Sequence, residues 1–402
     1  MIKKISSSIA IQSLGTISLL LVTLFITKEY GIQTQGEFAV IKSWVDLLVV
    51  IFCFGLPQSF IYGINALGIN PYKLKIFSIY YPFLVFPLVF ITTYLWFNKS
   101  NQLYYLHSTI FLSAGICFLI GHSLVRGIFL TINDSKLFSL ITAIPSILLF
   151  STILISYKIN FFSFHISYLL SGLLSFILII ILVKKINIKS KDTVPWRILI
   201  KNGNHVLLQS ISSGLIPVIT YWLMNKYGMN NKDIGGFNLS VYSYQIFSLP
   251  FSMIAPIFVN QWSKQNNINI IKKNVMKLLK VSLCILLISS LTAIFLLPMI
   301  IEKILDNNFL FIIQSSRILL FSATPLFIST VLAGFLISKG FFSYNMKGYT
   351  LKTIFVIVTL IILFEFKSVS LQSISLSWIL GDLILMLILY YKSVEIFRSN
   401  AQ

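Results

Sequence analysis

Apolar runs of about 20 residues recur along the whole chain, and each is long enough to cross a hydrocarbon layer of roughly 30 Å as a helix. The composition agrees, because 57% of the 402 residues are hydrophobic and only 10% are charged. In an average soluble domain about 25% of residues are charged. The sequence therefore predicts an all-α integral membrane protein and excludes a string of soluble domains.

The hydropathy pattern predicts about twelve transmembrane helices in two groups of six. The first group covers residues 7–27, 38–66, 76–97, 105–130, 137–157 and 164–183, and the second covers 203–224, 235–262, 275–300, 313–337, 351–364 and 372–391. We expect an N-terminal six-helix bundle over residues 1–183, a basic connector over 184–202 and a C-terminal six-helix bundle over 203–402.

The second predicted helix and its flanking segments return later in the chain, displaced by 199 positions. The matched pairs are Gly15 and Gly214, Gly36 and Gly235, Phe38 and Phe237, Pro57 and Pro256, and Lys73 and Lys272. Different residue types that share one offset indicate an internal duplication. Two related halves in one hydrophobic chain are typical of transporters.

The basic residues fall mainly in the loops on one side of the predicted helices. That side carries Lys3 and Lys4 and the connector at Lys184, whereas acidic residues such as Glu29 and Glu302 lie in the opposite loops. Cytoplasmic loops are enriched in Lys and Arg, so both termini are predicted to be cytoplasmic. The net charge of +20 is explained in this way without a nucleic-acid partner.

Lys42 and Asp46 lie inside the second predicted helix. Asp46 follows Phe38 by eight residues, which places it roughly 12 Å deep at 1.5 Å per residue. A charged residue at a helix centre costs about 2.5–3.5 kcal/mol to insert, so both side chains should face protein or water. Their spacing of four puts them on one face. Two interpretations stay open: a structural ion pair, or a cavity-lining cation whose acidic partner is a coupling-ion or proton site.

Three further cations are candidates for a substrate site. Arg317 lies deep in the tenth predicted helix, and its planar guanidinium matches phosphate oxygens. The alternative for Arg317 is an ion pair with an acidic residue on another helix, such as Asp382 on the twelfth. Arg126, beside His122 near the end of the fourth helix, either snorkels to the interface or joins the site. Lys28, at the end of the first helix, is an interfacial anchor or part of a cationic rim.

Aromatic and amide side chains cluster on the duplicated helices. The candidates are Trp44, Tyr62, Tyr242 and Gln245. Such groups suit sugar rings and hydroxyls, although Trp and Tyr also gather at membrane interfaces without binding anything. Pro57 and Pro256 occupy equivalent positions late in their helices and are predicted to mark kinks that let each half bend.

The sequence gives no support for an enzyme or a metal centre. The four histidines have no ligand spacing, and Cys53, Cys117 and Cys284 lie in apolar runs, where we expect small buried hydrophobic residues. No Gly-rich phosphate loop and no H-E-x-x-H or G-x-S-x-G motif is present. We therefore expect a transporter without a cofactor, and coupling to a proton or sodium gradient is left open.

The duplicated segments resemble Wzx-type O-antigen flippases of the multidrug/oligosaccharidyl-lipid/polysaccharide (MOP) exporter superfamily. The similar residues are Tyr30-Gly31, Gly36-x-Phe38 and Phe54-Gly55-Leu56-Pro57, which return as Tyr227-Gly228, Gly235-Gly236-Phe237 and Leu249-Pro250 with Pro256. The resemblance implies two six-helix bundles in a V shape around a central cationic cavity lined by helices 1, 2, 7 and 8. The chain departs from some of these relatives in carrying few charges on helices 1 and 7.

The resemblance also implies a function. Such proteins move undecaprenyl-diphosphate-linked sugar units across the bacterial inner membrane by alternating access. Their partners are the lipid-linked oligosaccharide, membrane lipids and the polysaccharide polymerase machinery.

Two other classes are alternatives. An ion-coupled multidrug or small-molecule exporter of the same superfamily would use a deep carboxylate, Asp46 or Asp382, for coupling. A membrane polymerase or ligase for lipid-linked glycans would need a large external loop with catalytic basic residues, and the connecting segments here are short.

Overall fold

The structure, a computed structural model, describes residues 2–99, 106–129, 135–161, 163–183, 194–263, 265, 267–305 and 307–399. The helices are α1 (Ile2–Cys53), α2 (Leu56–Leu67), α3 (Pro71–Lys99), α4 (Leu106–Phe129), α5 (Ser135–Lys158), α6 (Phe164–Val183), α7 (Trp196–Lys226), α8 (Asn231–Ser263), α9 (Ile268–Leu305), α10 (Ile313–Ser338), α11 (Phe342–Glu365) and α12 (Leu371–Ser399). A 3-10 helix, Asn307–Ile312, precedes α10. The described ranges contain no strand, and the predicted fold class is confirmed.

Ten of the described helices, all except α2 and α8, are long and apolar enough to cross a membrane. Their outward faces are also apolar. On α9, for example, Ile288 is 68% exposed and Phe295 is 77% exposed. Soluble monomers rarely expose contiguous apolar surface of this kind, so the chain is a multi-pass membrane protein.

Helix α1 is interrupted by a kink. Its 52 residues would extend about 78 Å as a straight helix, well beyond a hydrocarbon core of roughly 30 Å. Gly31, with φ 86° and ψ 164°, divides it in a backbone region open essentially to glycine. Gly228, with φ 81°, makes the corresponding turn between α7 and α8. The second predicted helix is broken at Phe54 and Gly55, which both have positive φ, and it continues as α2.

Residues related by the 199-residue offset meet in a reciprocal contact. A Cβ on Gly36 would lie 2.1 Å from the carbonyl oxygen of Asn231, and a Cβ on Gly235 would lie 2.4 Å from that of Ile32. Ile32 and Asn231 are themselves 199 positions apart. A patch that contacts its own equivalent in this way is expected at a two-fold axis. The contact supports the internal duplication and explains glycine at both positions.

The chain forms two compact units. Unit 1 comprises Met1–Val22 and Trp44–Ser210, and unit 2 comprises Thr23–Ser43 and Ile211–Gln402. Helix α4 is central in unit 1, and α10 is central in unit 2. In their most apolar 18-residue stretches, 61% of α4 and 67% of α10 is buried, against at most 44% in the other spans. These two helices hold the same place in the two groups of six. The bundle boundaries at residues 183 and 203 stay a prediction.

Several helices extend beyond their predicted ends. The eleventh helix was predicted from residue 351, but it begins at Phe342. Its first turns contain Ser343, Asn345 and Lys347, and polar residues of this kind do not show in a hydropathy pattern. The seventh was predicted from residue 203 and begins at Trp196, directly after Pro195, whose fixed φ suits a helix start. Residues 184–193 of the predicted connector lie outside the described ranges.

Candidate functional site

A buried ion pair occupies the interior of unit 2. Asp382 of α12 is 2% exposed. Its carboxylate forms a salt bridge with Lys352 of α11 and accepts a hydrogen bond from the Ser322 hydroxyl of α10. The Lys352 side chain is 12% exposed. Neither charge could be buried alone at reasonable cost, so each depends on the other.

Lys352 and Asp382 lie at the same distance from the turn that connects α11 and α12. Lys352 lies 15 residues before Lys367 in the connecting turn, and Asp382 lies 15 residues after it. Equal spacing along two antiparallel helices gives equal distance from the turn. Gly381 allows close approach, because a Cβ there would lie 2.4 Å from a methyl group of Val356.

Hydrogen bonds connect this region to α7. The Thr353 hydroxyl donates to the Ser212 carbonyl oxygen at 2.7 Å, and the Ser212 and Thr350 hydroxyls lie 3.3 Å apart. On α12, the indole N–H of Trp378 donates to the Thr220 hydroxyl at 3.3 Å. The interior of unit 2 therefore combines apolar packing with a polar centre shared by four helices.

Arg317 is half-buried on α10. Its Nε–H donates to the carbonyl oxygen of Ile294 on α9 at 3.2 Å, and among the described residues it forms no salt bridge. The alternative pairing with Asp382 is therefore wrong, because Lys352 and Ser322 take that carboxylate. The two terminal nitrogens of Arg317 are the part of the guanidinium suited to bidentate contact with an anion.

Lys42, Trp44 and Asp46 follow one another on α1. Lys42 is half-buried and Asp46 is exposed, and both take part in polar interactions. Trp44 is buried and stacks on Trp96 of α3, with ring centroids 4.3 Å apart and planes 9° from parallel. The role of Lys42 and Asp46 in substrate binding stays a prediction.

The remaining predicted cations differ in their surroundings. Arg126 is half-buried in the last turn of α4, one turn after the buried His122, and its charge is favourable at that helix end. Lys28 is exposed, three residues before Gly31. Of the cysteines, Cys53 and Cys117 are buried, but Cys284 is exposed. The expectation for Cys284 was wrong, because α9 turns this apolar face outward.

The other predicted residues lie along α2 and α8. Tyr62 is 36% exposed on α2, and Tyr242 is buried on α8. Gln245 is half-buried on the same helix. Pro57 lies in the first turn of α2, directly after the break at Phe54 and Gly55. The side chain of Pro256 lies outside the described part of α8.

A hydrogen bond connects the ends of α7 and α11. The Tyr227 hydroxyl donates to the Glu365 carboxylate, and the Tyr227 ring stacks on Phe364 at 5.0 Å. The bond to Glu365 favours the neutral phenol and raises the pKa of Tyr227.

Sequence reasoning missed Lys352, Ser322 and Trp96. The equal spacing of Lys352 and Asp382 about the last turn is a signal that could have identified the pair. No comparable pattern identifies Ser322 or Trp96, because their contacts depend on how distant helices pack. Among the described residues, no cluster of three His, Cys, Asp or Glu side chains could hold a metal ion.

These features define an all-α, multi-pass membrane protein with repeated helices and buried polar centres. Its fold matches that of a multidrug resistance MATE family transporter of the MOP superfamily in an outward-facing conformation, with a TM-score of 0.77 and 14% identity over 99% of this chain and 96% of that one. It also matches the MATE transporter VcmN of Vibrio cholerae, with a TM-score of 0.78 and 11% identity over 100% and 98%.

A third similar structure is a MOP superfamily transporter from Pyrococcus furiosus, with a TM-score of 0.71 and 14% identity over 100% of this chain and 96% of that one. No family model and no curated protein matches the sequence. The similarity therefore shows a MATE-like fold over the whole chain.

Proposed function

We propose that the chain is a transporter of the MOP superfamily, not an enzyme, and that it carries an undecaprenyl-diphosphate-linked O-antigen or related polysaccharide unit across the bacterial inner membrane. The observation that carries the transporter proposal is the MATE-like fold, which extends over 99% of the chain or more. The reciprocal contact of Gly36 and Gly235 adds support, since duplicated halves are common among transporters. The choice of substrate rests on the resemblance of the duplicated segments to Wzx-type flippases.

Carrying such a substrate poses a physical problem. The diphosphate and the sugars must cross hydrocarbon, while the lipid tail can stay in the bilayer. Buried cations would replace the water that solvates the diphosphate. Arg317 supports this, because only its Nε–H has a partner among the described residues, so the terminal N–H groups can meet phosphate oxygens. Lys42, half-buried on α1, is the second proposed contact.

A flipping assay in proteoliposomes tests the proposal. The probe is a fluorescent polyprenyl-diphosphate oligosaccharide, and Arg317→Ala and Lys42→Ala are compared with wild type. A charge-assisted hydrogen bond contributes about 1.5–3 kcal/mol, so we expect each variant to flip the probe at least about tenfold more slowly. Lys280→Ala, which removes an exposed cation of α9, is the control. Normal flipping in both site variants would refute the site assignment, and no flipping by wild type would refute the substrate.

The second candidate function is ion-coupled export of a small molecule. It is favoured by one observation, that a protein of similar fold is a multidrug resistance transporter. Asp46, whose side chain is exposed on α1, would be the coupling carboxylate in this function. Drug sensitivity on deletion, with normal surface polysaccharide, would favour this function over the flippase.

A further inference from the structure

Unit 1 contains a pair of stacked tryptophans. Trp44 of α1 and Trp96 of α3 lie with ring centroids 4.3 Å apart and an interplanar angle of 9°. Trp44 is 9% exposed, whereas Trp96 is half-buried. Each ring therefore has one face covered by the other, and Trp96 is the more exposed member of the pair.

Both indole N–H groups are buried, and neither has a hydrogen-bond partner among the described residues. The same holds for the hydroxyl of Thr93, which is fully buried and lies three residues before Trp96 on the same face of α3. Buried polar groups are nearly always hydrogen-bonded, so three unsatisfied ones in one cluster need an explanation.

Comparable Trp and Thr side chains elsewhere in the chain do have hydrogen-bond partners. The buried Trp378 of unit 2 donates its indole N–H to the Thr220 hydroxyl. Helical threonines such as Thr27 and Thr220 donate to the carbonyl one turn earlier. Even Thr92, beside Thr93, does so. Other buried groups, such as the Ser113 hydroxyl, also lack a partner among the described residues, but Trp44, Thr93 and Trp96 bring three donors together beside one stacked pair.

We propose that Trp44, Thr93 and Trp96 form a binding site for acceptor oxygens of the sugars in the transported substrate. An indole N–H donates in the plane of its ring, so a ligand meets the edge of the stacked pair and must supply an acceptor. A donor-only indole pair with no charged member suits neutral hydroxyl and amide oxygens, whereas a diphosphate needs cations. This inference rests on the proposed flippase function and names which part of the substrate the site holds.

The test uses the full-length protein in lipid nanodiscs and two probes, a polyprenyl-diphosphate oligosaccharide and the same polyprenyl diphosphate without sugar. Trp44→Phe and Trp96→Phe keep an aromatic ring in the stack and remove one N–H each. We expect each variant to bind the oligosaccharide probe about tenfold more weakly than wild type, and to bind the sugar-free probe as wild type does. Trp378→Phe, which also removes a buried indole N–H, should bind both probes normally.

Three results would overturn the inference. Equal binding of the oligosaccharide probe by wild type and both variants would mean that the N–H groups have no ligand role. Equal weakening for both probes would mean that the site holds the diphosphate. Absence of binding by wild type would overturn this site together with the flippase proposal, and this outcome is distinct from the first two. Thermal unfolding of each variant without ligand checks that the stack still folds.

Discussion

For the buried pair of Lys352 and Asp382, we predict how much stability each single substitution removes. Asp382→Asn leaves the Lys352 ammonium buried without a counter-charge, and Lys352→Met leaves the carboxylate in the same state. Both side chains are nearly inaccessible, at 12% and 3% exposure. Removing one partner of a buried pair destabilises a protein by about 3–5 kcal/mol, because the remaining charge has lost its compensation.

The double variant, which carries both substitutions, should behave differently. No charge remains to be desolvated, and the amide oxygen introduced by Asp382→Asn can still accept the hydrogen bond from Ser322. Replacement of a whole buried ion pair is often close to neutral. We therefore expect the double variant to be no less stable than either single variant, which is a strongly non-additive cycle.

Thermal unfolding in detergent, followed by fluorescence-detected size exclusion, measures these differences. For a unit of roughly 200 residues, 1 kcal/mol corresponds to about 2–4 °C in Tm. The single variants should therefore lose about 6–20 °C. The pair of Lys392 and Glu395, 2.7 Å apart, is the control, because its carboxylate is exposed: the Glu395 side chain is 55% exposed and that of Lys392 is 13% exposed. Glu395→Gln should cost less than about 1 kcal/mol. Additive losses in the double variant would refute the reasoning.

Three local features of the backbone and side chains make further predictions. Gly31→Ala should destabilise the kink in α1 by about 1–3 kcal/mol, because φ is 86° and ψ is 164°. Gly68→Ala, at a left-handed φ of 66° and ψ of 22°, should cost less in the same unfolding assay. Gly36→Ala should reduce the yield of folded protein sharply, since its Cβ would lie 2.1 Å from a backbone oxygen, and a normal yield would contradict the close contact. The hydrogen bond from Tyr227 to Glu365 raises the pKa of Tyr227, so its stabilisation is complete below the usual phenol pKa of about 10 and is lost as pH rises through the raised value. Glu365→Gln should lower the pKa of Tyr227 in a carbon-13 tyrosine NMR titration.

Much of the fold could be predicted from the sequence, and much less of the candidate site. The helices are visible because each has to span hydrocarbon with its own apolar residues. Lys352 was overlooked because nothing beside it in α11 marks it as a partner, although its spacing from the turn matches that of Asp382. Trp44 was selected as an aromatic candidate, but its partner Trp96 lies on another helix and shares no sequence pattern with it.

The sequence by itself determined the all-α membrane fold, the approximate helices and the duplication that places glycine at 36 and 235. The physical reason is that a segment in lipid has to satisfy its backbone hydrogen bonds internally, so its own residues decide its structure. Only the tertiary structure decided that Asp382 meets Lys352 and that Trp44 meets Trp96. Helices that are apolar all round carry no stripe to show which side faces a neighbour, so these contacts depend on how each helix is rotated in the assembled protein.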